Sequence, residues 1–108
     1  MDDEIKQMTV KELKDRLDKK DNLLLIDVRE QNEYDISNIK SSVWKPLSQL
    51  EFDYQDLPKD REIAVHCKMG GRSMRACQFL QSKGYTRLFN VAGGISAWSK
   101  EIDPSVVA

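Results

Sequence analysis

Residues 62–73 read Glu62-Ile63-Ala64-Val65-His66-Cys67-Lys68-Met69-Gly70-Gly71-Arg72-Ser73. The first half is a short apolar run ending at a histidine and a cysteine. A strand covered on both faces reads this way, and such strands belong to parallel sheets. Lys68 to Gly71 is too glycine-rich to continue the strand. From Ser73 to Lys83 the pattern turns helical: Ala76, Cys77 and Leu80 share one face, and Gly84 is a natural residue to follow a helix end. Strand, tight loop and helix in succession make one unit of an α/β domain.

The flanking sequence repeats the alternation. Upstream, Leu23-Leu24-Leu25-Ile26-Asp27-Val28 is a second apolar run, and Gln31 to Ile36 predicts a short helix. Val43-Trp44 is a weak strand before Pro46, and Leu47 to Tyr54 reads as a helix with that proline near its start. Earlier still, Thr9 and Glu12 fit a capping box ahead of Val10, Leu13 and Leu17 at helical spacing. Downstream, Leu88-Phe89-Asn90-Val91 is a third short strand, followed by Gly93-Gly94 and a helical turn carrying Ile95, Ala97 and Trp98. The expected fold is α/β with a central parallel sheet.

The chain's 108 residues make one domain. Residues 1–8 read as a solvated lead-in and residues 105–108, beyond Pro104, as a flexible tail. Lys plus Arg is 17 against 18 for Asp plus Glu, a net charge of −1, which argues against nucleic-acid binding as the main task. No stretch approaches the roughly 20 apolar residues of a membrane span. The acidic start Met1-Asp2-Asp3-Glu4 lacks the basic-then-apolar order of a signal peptide. Two cysteines ten positions apart make a poor disulfide framework, so a reducing, cytoplasmic setting with a free thiol is expected.

In open α/β sheets ligands bind beyond the carboxyl ends of the strands, and Cys67 stands at such an end. Successive backbone N–H groups in a tight turn form an anion-binding concavity, and a helix N-terminus adds unpaired N–H groups to it. A cysteine in that cradle has its thiolate, the nucleophilic form, favoured. Gly70 and Gly71 let the backbone curl, and Lys68, Arg72 and Arg75 add positive charge. Asp27 and Arg29, at the same edge, are expected to form a structural ion pair bracing the loop. His66 precedes Cys67 in the strand, so alternation sends the two side chains to opposite faces and a Cys–His catalytic pair is not expected. Cys77 is expected to pack in the core. A metal site built on His66, Cys67 and Cys77 lacks a fourth ligand, and no cofactor or metal is expected. Trp44 and Trp98 read as packing residues.

Cys67-Lys-Met-Gly-Gly-Arg72-Ser73, a cysteine with four residues before an arginine, resembles the active-site loop of rhodanese-type sulfurtransferases. Ile26-Asp27-Val28-Arg29-Glu30 with Glu33-Tyr34 resembles that family's early strand motif, and Asn90 to Trp98 resembles its closing motif. The likeness runs from Thr9 to Trp98. It implies a rhodanese-like fold with a parallel sheet of about five strands flanked by helices. It also implies that Cys67 attacks the outer sulfur of thiosulfate or a protein persulfide and holds it as a persulfide, cradled by residues Lys68, Met69, Gly70, Gly71 and Arg72. Ser73 joins Asp27 and Arg29 in supporting the loop. The loop and the ending from Trp98 to Val106 are most similar to the rhodanese domains fused to ubiquitin-activating-type adenylyltransferases, including those of the molybdopterin-synthase pathway. These put sulfur on carrier proteins for molybdopterin, thiamine or tRNA thiolation, so the implied partners are a ubiquitin-like sulfur carrier and an adenylyltransferase. Where the family often has Gly-His-Ile-Pro-Gly-Ala, this chain has Ser37-Asn38-Ile39-Lys40-Ser41-Ser42 and keeps only the isoleucine.

Two rival readings remain. Related cradles hold tetrahedral oxyanions in phosphatases and arsenate reductases, but those loops have five residues between Cys and Arg. A non-catalytic binding module is the other, though inactive members usually lack the cysteine. The sulfurtransferase reading requires loop N–H groups that point inward on the sulfur of Cys67, and a sulfur that solvent can reach.

Overall fold

The computed structural model describes residues 4–108; the expected lead-in at residues 1–3 lies outside them. Five strands form one sheet: β1 (Lys6–Met8), β2 (Leu23–Asp27), β3 (Val43–Trp44), β4 (Glu62–His66) and β5 (Leu88–Val91), in the order β1-β5-β4-β2-β3. Every pairing is parallel, with Asp27 opposite His66 and Val65 opposite Asn90. The helices are α1 (Val10–Asp18), α2 (Gln31–Ile36), α3 (Leu47–Asp53), α4 (Gly71–Ser82) and α5 (Gly94–Glu101). The α/β architecture with about five parallel strands is therefore present. No helix among the described residues is long and apolar enough to cross a membrane.

The expected capping box is formed: the Glu12 amide donates to Thr9 Oγ1 at 3.1 Å, and the Thr9 amide to Glu12 Oε1 at 2.8 Å. Helix α4 begins at Gly71, two residues before the expected Ser73, because Gly70 caps it at φ +118°.

Two ends of the chain differ from expectation. Lys6–Met8 is an edge strand rather than a solvated lead-in. Only Met8 of the three is buried, and the strand is held by backbone pairing to β5, which leaves little apolar signal. Val106 is buried in the core and the Val107 amide donates to Ser37 Oγ at 3.0 Å, so the segment after Pro104 is docked rather than a free tail.

Strand alternation sorts the core onto the two faces of the sheet. Ile26, Val28, Ile63, Val65 and Cys67 pack with Ala76, Cys77 and Leu80 of α4. Leu23, Leu25, Ala64 and Val91 pack with Val10 and Leu13 of α1 and Ile95 and Trp98 of α5. Ile39, the isoleucine retained in the divergent 37–42 segment, is buried in this second cluster. Trp44 stacks on Tyr34 with ring centroids 5.5 Å apart and donates to the Arg29 carbonyl at 2.8 Å. With the strands all parallel, the ends of β2 and β4 and the starts of α2, α4 and α5 meet at one edge.

Candidate active site

At that edge Cys67 follows β4, and the chain curls over its sulfur. The Gly70 amide donates to Sγ at 3.1 Å, and Ser73 Oγ lies 3.3 Å from it. The direction of the curl is set from outside the loop. The carbonyl of Cys67 accepts from the Ile95 amide at 2.9 Å, and that of Lys68 from the Ser96 amide at 3.0 Å. In a trans peptide the N–H points opposite the C=O. Drawing the Lys68 carbonyl onto α5 therefore aims the Met69 N–H the other way, towards the sulfur. The unpaired amides of one helix start thus orient the unpaired amides of another.

This explains Gly94, the second of the Gly93-Gly94 pair. A Cβ on Gly94 would lie 2.5 Å from the carbonyl oxygens of both Cys67 and Lys68, and its φ is +57°. Nothing larger than glycine lets α5 come close enough to bind both carbonyls.

Burial alone pushes the Cys67 thiol up, and it is the largest single influence. The Ser73 hydroxyl and the amides of Ser73, Gly70 and Met69 together outweigh it, so the thiol is held below its ordinary value. Cys77 shows burial without such donors. It sits in the core, its thiol 3.7 Å from the Phe89 carbonyl, and burial followed by the charge of Cys67 pushes it up to about 12.

The expected site residues are distributed as follows. Among the described residues, no side chain of Lys68, Met69 or Arg72 hydrogen-bonds Cys67; the loop acts on the sulfur through its backbone and Ser73. Met69 is 71 % exposed. The Arg72 guanidinium feels the charge of Cys67, but its hydrogen bonds go elsewhere. It makes a two-pronged pair with Glu33, at 2.6 and 2.9 Å, because a planar fork fits a carboxylate. The pair holds Glu33 down to about 2, chiefly through the Arg72 hydrogen bonds.

Asp27 and Arg29 form the expected ion pair, fully buried, with Arg29 Nη2 2.8 Å from Asp27 Oδ2. Arg29 also donates to the carbonyls of Ser37 and Glu33. It ties α2, and through Glu33 and Arg72 the loop, to the end of β2.

Access departs from expectation. Cys67 is only 1 % exposed: with the carbonyls of 67 and 68 pulled onto α5 and the Gly70 amide drawn onto the sulfur, the loop closes over the thiol. Lys68 of the loop helps line a cavity of about 190 Å³ with Arg29, Glu33, Ile36, Val107 and Ala108.

Sequence reasoning missed the parts played by Glu33 and Asn90. Asn90 Oδ1 accepts from the Ser73 hydroxyl at 2.5 Å, and its Nδ2 donates to the Gly70 carbonyl at 3.3 Å. The available signal was a lone amide side chain inside the apolar run Leu88–Val91, since a buried polar group needs partners.

A sequence profile of the rhodanese-like domain matches residues 9–101. A sulfurtransferase of Allochromatium vinosum is 31% identical over 102 residues, covering 94% of this chain and 95% of that protein. The adenylyltransferase and sulfurtransferase uba4 of Ogataea parapolymorpha is 39% identical over 82 residues, covering 75% of this chain but 21% of that protein. The solved structure of a human single-domain sulfurtransferase superposes with a TM-score of 0.81 at 26% identity, covering 91% of this chain and 98% of that one. Parallel sheet, amide-lined cysteine loop and these likenesses agree, and the chain belongs to the rhodanese-like domain family.

Proposed function

We propose that this chain acts as a sulfurtransferase in which Cys67 carries sulfur between a donor and an acceptor. The observation that carries the reading is the inward Gly70 amide and the Ser73 hydroxyl on Cys67 Sγ, which favour a sulfur anion there. With thiosulfate as donor, the Cys67 thiolate attacks the outer sulfur. A new S–S bond forms, the bond to the sulfonate sulfur breaks, and sulfite departs with the electron pair. A thiolate or cyanide acceptor then attacks the outer sulfur and Cys67 leaves as thiolate. This is a two-step covalent cycle through a persulfide, stabilised by the amides of Met69, Gly70 and Ser73.

Because the sulfur lies under the loop, entry requires residues 68–70 to part, and a donor with a narrow terminal sulfur is favoured over a bulky one. Fused relatives such as uba4 support a protein acceptor, a ubiquitin-like sulfur carrier charged by an adenylyltransferase. Two free cysteines suit a reducing, cytoplasmic setting.

The test is intact-mass spectrometry after incubation with thiosulfate. The wild type gains one sulfur atom, released by cyanide or dithiothreitol. Cys67→Ala gains none, and Cys77→Ala gains it as the wild type does. A wild-type chain that stays unmodified while hydrolysing an aryl phosphate would overturn the proposal.

A further inference from the structure

His66 ends β4, is fully buried, and is the chain's single histidine. Alternation turns its ring away from the Cys67 side chain, so it takes no part in the chemistry above. It still touches Cys67, from behind: Nδ1 lies 3.4 Å from the Cys67 carbonyl oxygen. The other nitrogen, Nε2, lies 3.7 Å from Asp27 Oδ2 and is buried without a hydrogen-bond partner among the described residues. The charged groups facing the ring are Asp27 and Arg29, both from the end of β2.

A neutral imidazole has one proton to place. The Asp27 carboxylate is already engaged: Arg29 Nε is 3.0 and 3.2 Å from its two oxygens, Nη2 is 2.8 Å from one, and the Arg29 amide is 3.0 Å from the other. A proton on Nε2 would have no acceptor within reach and would leave the Nδ1 lone pair against a carbonyl oxygen. A proton on Nδ1 has the Cys67 carbonyl as acceptor. It leaves only a bare lone pair at Nε2, which is cheaper to bury than an orphaned N–H. Burial, above all, keeps the ring neutral against the pull of Asp27.

We propose that His66 is a positioning residue for Cys67, its Nδ1–H gripping the Cys67 carbonyl from the sheet side while the Ile95 amide grips it from the helix side. The doubly held carbonyl fixes the peptide that starts the loop. The Ser96 bond fixes the next one, and the inward amides follow. The role in turnover rests on the sulfurtransferase reading; the effect on the thiol does not.

Two measurements test it. Long-range ¹H–¹⁵N NMR of the only imidazole should show a neutral, Nδ1-protonated ring at neutral pH. His66→Asn keeps a donor near the Nδ1 position, and His66→Gln moves it to the Nε2 position. The ultraviolet absorbance of the thiolate, with Cys67→Ala as blank, should titrate in His66→Asn as in the wild type and at higher pH in His66→Gln. Sulfur uptake should stay within about twofold in the first and fall on the order of tenfold in the second. An Nε2-protonated ring, or identical behaviour of the two variants, overturns the proposal. If neither variant folds, the wild-type tautomer decides. A wild type with the Nδ1-protonated ring that takes up no sulfur refutes the sulfurtransferase reading and leaves His66 in its place.

Discussion

Ser73 shows how much of the site depends on one hydrogen atom. Its hydroxyl lies between Cys67 Sγ at 3.3 Å and Asn90 Oδ1 at 2.5 Å, and it has a single proton to give. With Cys67 as a thiol, the S–H donates to Ser73 and Ser73 donates to Asn90. With a thiolate, the hydroxyl turns to the sulfur and Asn90 gives up its donor. Ser73→Ala removes the side chain that does most against the burial of Cys67. The thiolate absorbance should then titrate at higher pH than in the wild type, and sulfur uptake at neutral pH should slow. An unchanged titration would show that the loop amides suffice. Cys67 was legible from the sequence because cysteine, glycines and helix start coincide there. The destination of Arg72 was not: a basic residue beside an expected anion looks like a ligand for it. Its pairing with Glu33, 39 positions away, exists only once α2 and α4 are brought to the same edge.

At the scale of elements, α5 works on the loop from which it is separated by all of α4 and β5. The paired glycines 93 and 94 stood out in the sequence, yet their purpose is tertiary. Gly93 leaves room for Ala97 and Gly94 lets two helix-start amides reach two carbonyls, and nothing local reveals that. Gly94→Ala would force a Cβ to 2.5 Å from both oxygens at positive φ, so the loop or the helix must move. Destabilisation of about 2–4 kcal/mol is expected in urea unfolding, with slower sulfur uptake in the fraction that remains folded. Gly71, in the cysteine loop that α5 grips, is the control. It has nothing within 4 Å of a built Cβ and no positive φ, so Gly71→Ala should unfold within about 0.5 kcal/mol of the wild type. Equal losses in the two variants would contradict the grip of α5. The three apolar strands and the capped helix were read directly, because unbroken apolar runs, helical spacing and a capping box are local signals. Strand β1 escaped because three residues, only one of them buried, hold their place through backbone hydrogen bonds.

Taken as a whole molecule, the domain sets its chemistry on buried charge. Asp27, Arg29 and His66 occupy the carboxyl ends of two central strands with almost no exposure, and the cluster ties the stability of the whole fold to pH. Burial, which outweighs Asp27, holds His66 below its ordinary value of 6.5. In the unfolded chain the same ring takes up a proton near that ordinary value. Below it, therefore, the unfolded state binds more protons than the folded one, and stability must fall as pH falls. Above it both states are neutral at this site and the contribution is flat. This is the only histidine, so the difference between the wild type and a variant without it isolates its contribution in the window just below 6.5. Urea unfolding followed from neutral pH down through that window should show a falling midpoint in the wild type. His66→Asn, which retains a donor but takes no proton there, should show a shallower fall. A wild-type midpoint that stays level or rises on acidification would mean that the folded protein takes up the proton as readily as the open chain. The pairing of a neutral ring with the Cys67 carbonyl would then fall with it.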